Sequence, residues 1–180
     1  RKTTNRKGYI NEYLISLGAN FNHKFYLGTT IGIHDVYFKE NTNLYEWYPN
    51  GENQYFDHLN FGTYLKTAGS GFNIKIGAIY KPTENLRLGL AFHTPTFYKL
   101  SDNYFNTMES RNADEDGVMG NHYSEPDKEG VYDYEIETPM KTILSGAYII
   151  GKSGLISVDY EIVDYSTAKL KSAYSGDDFT

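Results

Sequence analysis

The sequence has no cysteine, only five prolines among 180 residues, and no long hydrophobic run. Without cysteine, the chain can form neither a disulfide framework nor a cysteine-ligated zinc site. The longest stretches free of charged residues are Thr142–Gly151 and Leu88–Tyr98, of ten and eleven residues, whereas a membrane-spanning helix needs about 18 or more. A spanning β-strand needs only about 9–11 residues, so a membrane protein built from strands is compatible with the sequence.

Positive charge is also scarce, with 17 Lys and Arg against 23 Asp and Glu and a formal net charge of -6. Binding to phosphate backbones requires a basic surface, so we expect no nucleic-acid partner. The 29 aromatic residues and 39% hydrophobic content exclude a disordered chain. We therefore expect residues 1–180 to form a folded β-rich domain or part of one. The first eight residues lack a signal peptide's apolar core, which predicts that the sequence begins inside a longer precursor.

Alternation of apolar and polar residues with a period of two dominates the chain and predicts paired strands. Three pairs are apparent, with turns near Asn22–Lys24, Pro82–Asn85 and Gly151–Gly154. The two arms of a hairpin keep their apolar residues on one face only if the turn has the right parity. We expect odd loop lengths of about three or five residues. The predicted fold is all-β, an antiparallel meander of about six strands.

Two long polar segments, at about residues 39–70 and 101–138, separate the three hairpins. Compact soluble domains seldom contain two loops of this length. Because tight turns and long segments alternate, all the short turns would lie at one end of the sheet and both long loops at the other. This asymmetry is typical of outer-membrane barrels, which have short periplasmic turns and long extracellular loops. We interpret the chain as a fragment of a transmembrane β-barrel.

The two faces of the predicted strands differ in chemistry. One face carries aliphatic residues such as Ile76, Leu88, Val158 and Ile162. In a membrane barrel such a face contacts lipid and the mixed face lines the interior, whereas in a soluble sandwich the apolar face forms the core. Aromatic residues near the strand ends favour the membrane interpretation. The predicted interior polar network, in which carboxylates balance the lysine and the arginine, consists of Lys75, Arg87, His93, Asp159 and Glu161.

Aromatic residues crowd into seventeen residues of the first long segment. They are Tyr45, Trp47, Tyr48, Tyr55, Phe56 and Phe61. Strand packing does not account for them, so they are candidates for a surface that captures an apolar ligand. An equal alternative is a loop that packs on itself as a compact lid.

No catalytic motif is present in a specific form, and we expect neither an enzyme activity nor a cofactor. The run Asn112-Ala113-Asp114-Glu115-Asp116-Gly117 matches the first half of a calcium loop, which makes Asn112, Asp114 and Asp116 a weak candidate site. The twelfth position of such a loop should be glutamate and is Tyr123. Eleven acidic residues in 101–138 also explain the run as solvated charge.

A recognisable succession of strand patterns runs through three segments, Asn11–Ile33, Gly71–Pro95 and Pro139–Ser166. A Gly-aromatic strand and a short turn precede an Arg-x-Gly-Leu-x-aromatic strand at Arg87–Phe92, and a Pro-led strand and an acidic, aromatic strand follow. These segments resemble the FadL and TodX family of bacterial outer-membrane transporters, which move long-chain fatty acids and other hydrophobic molecules. Related proteins of Bacteroidetes-like bacteria are often labelled haemin receptors, but no residue here establishes haem.

The resemblance implies that the chain is the middle portion of a barrel in the bacterial outer membrane. It further implies passive uptake of hydrophobic small molecules, with that cargo and outer-membrane lipid as partners. Two other functions are compatible with the residues. One is a soluble β-barrel or sandwich that binds a lipid or glycan, and the other is a structural barrel without cargo. Detergent dependence of the intact protein separates the first from the membrane interpretation.

Overall fold

The computed structural model describes residues 1–48 and 55–173, and the fold of these residues is all-β. The strands are β1 (Lys2–Phe21), β2 (Phe25–Trp47), β3 (Phe56–Tyr80), β4 (Leu86–His93), β5 (Phe97–Ala113), β6 (Met119–Ser124), β7 (Gly130–Glu137), β8 (Lys141–Ile150), β9 (Gly154–Val163) and β10 (Lys169–Ser172). A single 3-10 turn at Tyr165–Thr167 precedes β10. Within this described part, no helix is long and apolar enough to cross a membrane.

The ten strands of the described residues form one antiparallel sheet that is not closed into a barrel. The main path runs β10-β7-β5-β3-β4-β8-β9, while β1 pairs with β2, β2 pairs with β3, and β6 pairs with β5. The chain divides into two compact units. Unit 1 contains residues 1–9, 36–68 and 101–133, and unit 2 contains residues 10–35, 69–100 and 134–180.

The three tight turns have the predicted odd lengths. They contain three residues (Asn22–Lys24), five residues (Lys81–Asn85) and three residues (Gly151–Ser153) between the paired strands. In the first turn, Asn22 and His23 adopt left-handed backbone angles, with φ of 51° and 55°. In the β3–β4 and β8–β9 hairpins, Tyr80 pairs with Leu88 and Tyr148 pairs with Ile156, so like faces meet across both turns. The parity prediction is confirmed.

Backbone hydrogen bonds place the three tight turns side by side in unit 2. The amide of Lys81 donates to the carbonyl of Lys24 over 2.8 Å, which joins the first turn to the second. The amide of Ile149 donates to the carbonyl of Asn85 over 2.9 Å, which joins the second turn to the strand end beside the third. The turns therefore occupy one end of the sheet, as the alternation of short and long connections predicted.

The prediction of loops at 39–70 and 101–138 is wrong for most of these residues. Strand β2 continues to Trp47, β3 begins at Phe56, and β5, β6 and β7 occupy much of 101–138. Aromatic and β-branched residues such as Thr42, Tyr64 and Phe105 recur through these segments. Residues of these types favour a strand even where one face is solvated. The many charged residues of these segments led to the prediction of loops, whereas the structure has strands through most of the described part of them.

The strand count rises from about six to ten partly because a new strand, β5, begins at Phe97, soon after β4 ends at His93. Strand β4 pairs with Lys75–Tyr80 of β3, while β5 lies beside the same strand at Gly71, close to Phe97 and Tyr98. Between them lies Pro95, which has no amide hydrogen and cannot continue a ladder. The segments from the two predicted loops supply the other additional strands.

Aliphatic side chains of the described sheet are mostly exposed, and few side chains are buried. Val36 is the one buried hydrophobic side chain among the described residues, whereas His34 and Asn73 are 8% and 6% exposed. Aliphatic residues on the alternate face stand open, with Leu17 at 74% and Val158 at 68% exposure. The best-buried side chains of the sheet therefore include polar residues of the mixed face, such as His34 and Asn73, and not residues of the aliphatic face.

Candidate functional site

Small residues of β2, β3 and β4 form the floor of a groove of about 510 Å³ on the polar face of unit 2. They include Gly28, Gly77, Gly89 and Ala91. Glycine inside a strand weakens it and is typical of a place where something approaches the backbone closely. A Cβ at Gly77 would meet its nearest atoms at 3.8 and 3.9 Å, which is ordinary contact distance. Gly28 and Gly77 therefore leave open space above the sheet, whereas a Cβ at Gly89 would collide with Oγ of Ser145.

Two basic side chains line this groove. Lys75 of β3 and His93 of β4 are direct cross-strand partners and both contribute to its wall. Lys141 of β8 is the partner of His93 on the other side. The register therefore aligns three basic residues in one row across three strands, and it places Lys75 and His93 together as predicted.

Carboxylates flank the basic row at both sides. Nζ of Lys75 donates to Oε1 of Glu12 over 2.7 Å, and Nζ of Lys141 lies 3.1 Å from Oε1 of Glu161. We expected Asp159 and Glu161 to balance the charges of Lys75 and Arg87. In the structure, Lys75 pairs with Glu12 instead, and Glu161 pairs with Lys141. Glu12 is distant in sequence from Lys75, and strand pairing alone brings them together.

Arg87 and Asp159 lie nearer the tight turns. Both line a smaller concavity of about 190 Å³, to which Ser145 and Ser157 also contribute. Arg87 is paired with Ala147, which is paired with Ser157, and Asp159 is paired with Ser145. The predicted interior residues thus share one face of the sheet, in two groups at different distances from the turns.

A buried hydrogen-bonded group adjoins the basic row. The Asn73 amide lies 3.0 Å from Nε2 of His34 and 3.0 Å from Oγ1 of Thr96. Oη of Tyr98 lies 3.1 Å from Nδ1 of His34, and Oε1 of Glu12 lies 3.3 Å from Nε2 of His34. His34 therefore connects the buried group to the Glu12–Lys75 ion pair.

The Asn73 amide directs Nδ2 at His34 and Thr96. Its Oδ1 is buried without a partner among the described residues.

Gly32 makes room for the buried group. A methyl group at this position would lie 2.5 Å from Oδ1 of Asn73 and 2.6 Å from Oε1 of Glu12. Contacts that short do not occur between real carbon and oxygen atoms, so a larger residue would displace one of the two polar side chains. Gly32 is therefore part of the polar site.

The predicted aromatic residues lie at the ends of β2 and β3 rather than in a free loop. In unit 1, the rings of Tyr45 and Trp47 stack with centroids 5.7 Å apart, and the Tyr45 ring is also 5.7 Å from His58. Tyr45, Trp47, Tyr48 and Tyr55 are exposed, while Phe56 and Phe61 are half-buried. The structure thus brings together Tyr45 and Trp47, and residues 49–54 lie outside the described part.

The calcium candidates have a different role in the structure. Oδ1 of Asp114 accepts from the amides of Asp116 and Val118 over 3.0 and 2.8 Å, which closes the turn between β5 and β6. Oδ1 of Asn112 accepts from the Ser110 hydroxyl over 2.9 Å. Across residues 1–48 and 55–173, no three His, Cys, Asp or Glu side chains gather into a metal-binding group.

Sequence reasoning missed Glu12, His34, Asn73, Tyr98 and Lys141. The available signal was parity, since Glu12 and His34 occupy the mixed-face positions of β1 and β2. The pairings join residues 39 to 64 positions apart, and a single sequence does not reveal these separations.

Comparisons of the chain with protein-family models, curated proteins and solved structures return no match.

Proposed function

We propose that the chain is a segment of an outer-membrane β-barrel of the FadL and TodX type, which admits hydrophobic small molecules by passive diffusion without an enzyme step. The observation that carries the proposal is the exposed aliphatic face of unit 2. In β2, in most of β4 and in the second half of β8, exposed aliphatic residues alternate with less exposed residues of the polar face, whereas both faces of β1 and β9 are exposed. This is the pattern of a sheet with lipid on one side and a polar interior on the other.

A soluble sandwich or barrel is less compatible with this burial. Such a fold buries its aliphatic face as a core, yet Val36 is the single buried hydrophobic side chain among the described residues. Placing an exposed Leu, Ile or Val side chain in lipid is worth about 1.5–3 kcal/mol relative to water. The many exposed aliphatic residues of unit 2 therefore favour a bilayer as their surroundings.

Four strands of the described sheet, β1, β6, β9 and β10, have a single neighbour, and the proposal concerns two of them, β1 and β9. Within the described sheet, β1 has β2 as its one neighbour and β9 has β8. Backbone groups inside lipid must be hydrogen-bonded, so sheets that span membranes are closed. We propose that additional strands, from the same protein or another copy, cover β1 and β9 in the bilayer.

The groove supports a cargo with an apolar body and an acidic end, such as a long-chain fatty acid. Its glycine and alanine floor admits an alkyl chain, and Lys75 and His93 lie in its wall. A carboxylate there gains charge-assisted hydrogen bonds. Glu12 pairs with Lys75 and Glu161 pairs with Lys141. These ion pairs reduce the net positive charge of the row, so a bound carboxylate can be released again.

The test uses the intact protein in a bacterial host that lacks its own fatty-acid transporter. We expect the protein to fractionate with the outer membrane, to require detergent in solution, and to restore uptake of radiolabelled oleate. A protein that is monomeric and folded without detergent supports the soluble binding module instead. A membrane-inserted protein that leaves oleate uptake at the background rate would show a barrel without this cargo.

A further inference from the structure

A second groove, of about 570 Å³, lies within unit 1 and is chemically unlike the first. Four strands, β1, β2, β3 and β5, contribute to it. Its wall is rich in side-chain amides and hydroxyls, among them Thr3, Asn5, Asn41, Asn43, Asn60 and Thr107. We call it the amide groove.

The amides of this groove are uncommitted. Within the described part of the chain, no hydrogen bond engages the side chains of Asn41, Asn43 or Asn60. Each amide offers two donors and one acceptor with two lone pairs. Asn41 and Asn43 are two residues apart on β2 and so project on one face of the strand. The groove therefore presents several donor–acceptor pairs at fixed spacing.

Aromatic rings border the same groove. Tyr64 of β3 and Phe105 of β5 stack with centroids 4.7 Å apart, and both line the wall together with Tyr45. A flat ring gives an apolar surface with a polar tip in the case of tyrosine. Amides next to such rings match a ligand that has hydroxyl groups around its edge and C–H groups on its face.

Gly62 lets the walls converge. A Cβ at this position would collide with Oγ1 of Thr107 and come within 3.2 Å of Oδ1 of Asn43. Glycine thus allows polar atoms of β2 and β5 to approach across β3. The convergence of an amide and a hydroxyl over a glycine gives the groove a defined polar floor.

Charge limits the class of ligand. Arg1 is the one charged residue among the lining residues of the amide groove, so nothing like a cluster for phosphate or carboxylate is present. The wall is also too polar for an acyl chain, because such a ligand would leave the side-chain amides buried and without hydrogen-bond partners, which is unfavourable.

We infer that the amide groove binds a neutral saccharide, with Asn41, Asn43 and Asn60 hydrogen-bonding ring hydroxyls beside the aromatic border of the groove. The sugar is free oligosaccharide or the carbohydrate part of a glycolipid, since both present the same groups. This inference does not depend on fatty-acid transport, because the two grooves share no lining residue.

The test is saturation-transfer NMR on the intact protein in deuterated detergent. The probes are maltohexaose, cellohexaose, mannohexaose and the lipid-free core oligosaccharide of lipopolysaccharide. Intact lipopolysaccharide is tested in parallel by its displacement of whichever probe binds. We expect at least one lipid-free sugar to bind, and Asn43→Ala or Asn60→Ala to weaken it about five- to tenfold, the effect of losing one or two hydrogen bonds.

The matched control is Asn121→Ala, an exposed asparagine of β6 in the same unit that does not line the groove. The Asn121→Ala variant should bind the sugar as the wild type does. Near-ultraviolet circular dichroism, which reports the packing of tyrosine side chains, should show that every variant is folded. The inference is overturned if no lipid-free sugar binds at 10 mM (about 3 kcal/mol of affinity), or if the groove variants and Asn121→Ala bind alike.

Discussion

The Asn73 amide and Nε2 of His34 are 3.0 Å apart, and these two polar residues are among the best-buried side chains of the described sheet. They come from neighbouring strands, β2 and β3, and connect through Glu12 to Lys75. Polar contacts therefore join neighbouring strands of unit 2 on its polar face.

Replacing Asn73 tests the contribution of this pair. We expect Asn73→Ala to lower the free energy of unfolding by about 1–3 kcal/mol, because it leaves buried polar atoms of His34 and Thr96 without a partner. Urea unfolding of the intact protein in lipid vesicles measures the change. Asn11→Ala, at an exposed position of β1, is the control and should change stability by less than about 0.5 kcal/mol. Equal effects of the two substitutions would contradict the role of the pair.

Two glycines of β2 give a second matched pair. Gly32→Ala should destabilise by about 1–3 kcal/mol, since its methyl group displaces Asn73 or Glu12 and breaks their hydrogen bonds. Gly28→Ala, whose Cβ would have its nearest contact at 3.8 Å, should be neutral or stabilising by about 0.4–1 kcal/mol. Thermal unfolding of both variants distinguishes them, and a Gly32→Ala protein as stable as Gly28→Ala would show that the space at Gly32 is not needed.

Filling the first groove should block cargo. Gly77→Leu places a side chain on the groove floor, and we expect oleate uptake to fall about tenfold, equivalent to about 1.4 kcal/mol. Gly146→Leu is the control, because Gly146 pairs with Leu88 and Val158 on the aliphatic face and its Cβ would have nothing within 4 Å. Uptake that is unchanged in Gly77→Leu, or reduced equally in both variants, would exclude this groove as the path.

The exposed rings of Tyr45 and Trp47 predict capture of cargo from solution. Trp47 is the sole tryptophan of the sequence and is 54% exposed, so an apolar ligand that covers it would gain about 1.5–3 kcal/mol. We expect Trp47→Ala to weaken oleate binding and leave the fold intact. Tryptophan emission of this segment during an oleate titration reports the contact directly. Emission that does not respond to saturating oleate, with wild-type binding by the variant, would show that this surface does not capture cargo.

The sequence was sufficient for features that depend on neighbouring residues. Turn chemistry and alternation predicted the three odd-length turns, including the five-residue connection from Tyr80 to Leu86, and they placed Lys75 and His93 on one face. The strand extensions were missed because polar and acidic residues were taken as loops. In these segments the rings of Tyr64 and Phe105 stack across β3 and β5, which stabilises the extended backbone.

Long-range pairing was beyond a single sequence. Nothing near Lys75 indicates that Glu12, 63 positions away, supplies its counter-charge, and Asp159 or Glu161 was an equally good partner by composition. The buried group at His34 depends in addition on space at Gly32, which only the assembled strands reveal. The register between strands determines which polar residues meet in this site. Because these strands are distant in the sequence, their register cannot be predicted from a single sequence.

The central claim is that the aliphatic face of the sheet contacts lipid and the polar face contacts water. Measuring whether Leu88 is accessible to lipid and Arg87 to water tests this claim most directly. The sequence has no cysteine, so single nitroxide labels are introduced at Arg87→Cys and Leu88→Cys, and at Asp159→Cys and Val158→Cys, in the intact protein reconstituted in a bilayer. Power-saturation spectroscopy then compares collisions with oxygen, which concentrates in lipid, and with a water-soluble nickel chelate. We predict oxygen-dominated relaxation at positions 88 and 158 and nickel-dominated relaxation at 87 and 159. Labels at 88 and 158 that collide with neither reagent, as in a closed protein core, or that favour nickel, would contradict the lipid-facing account.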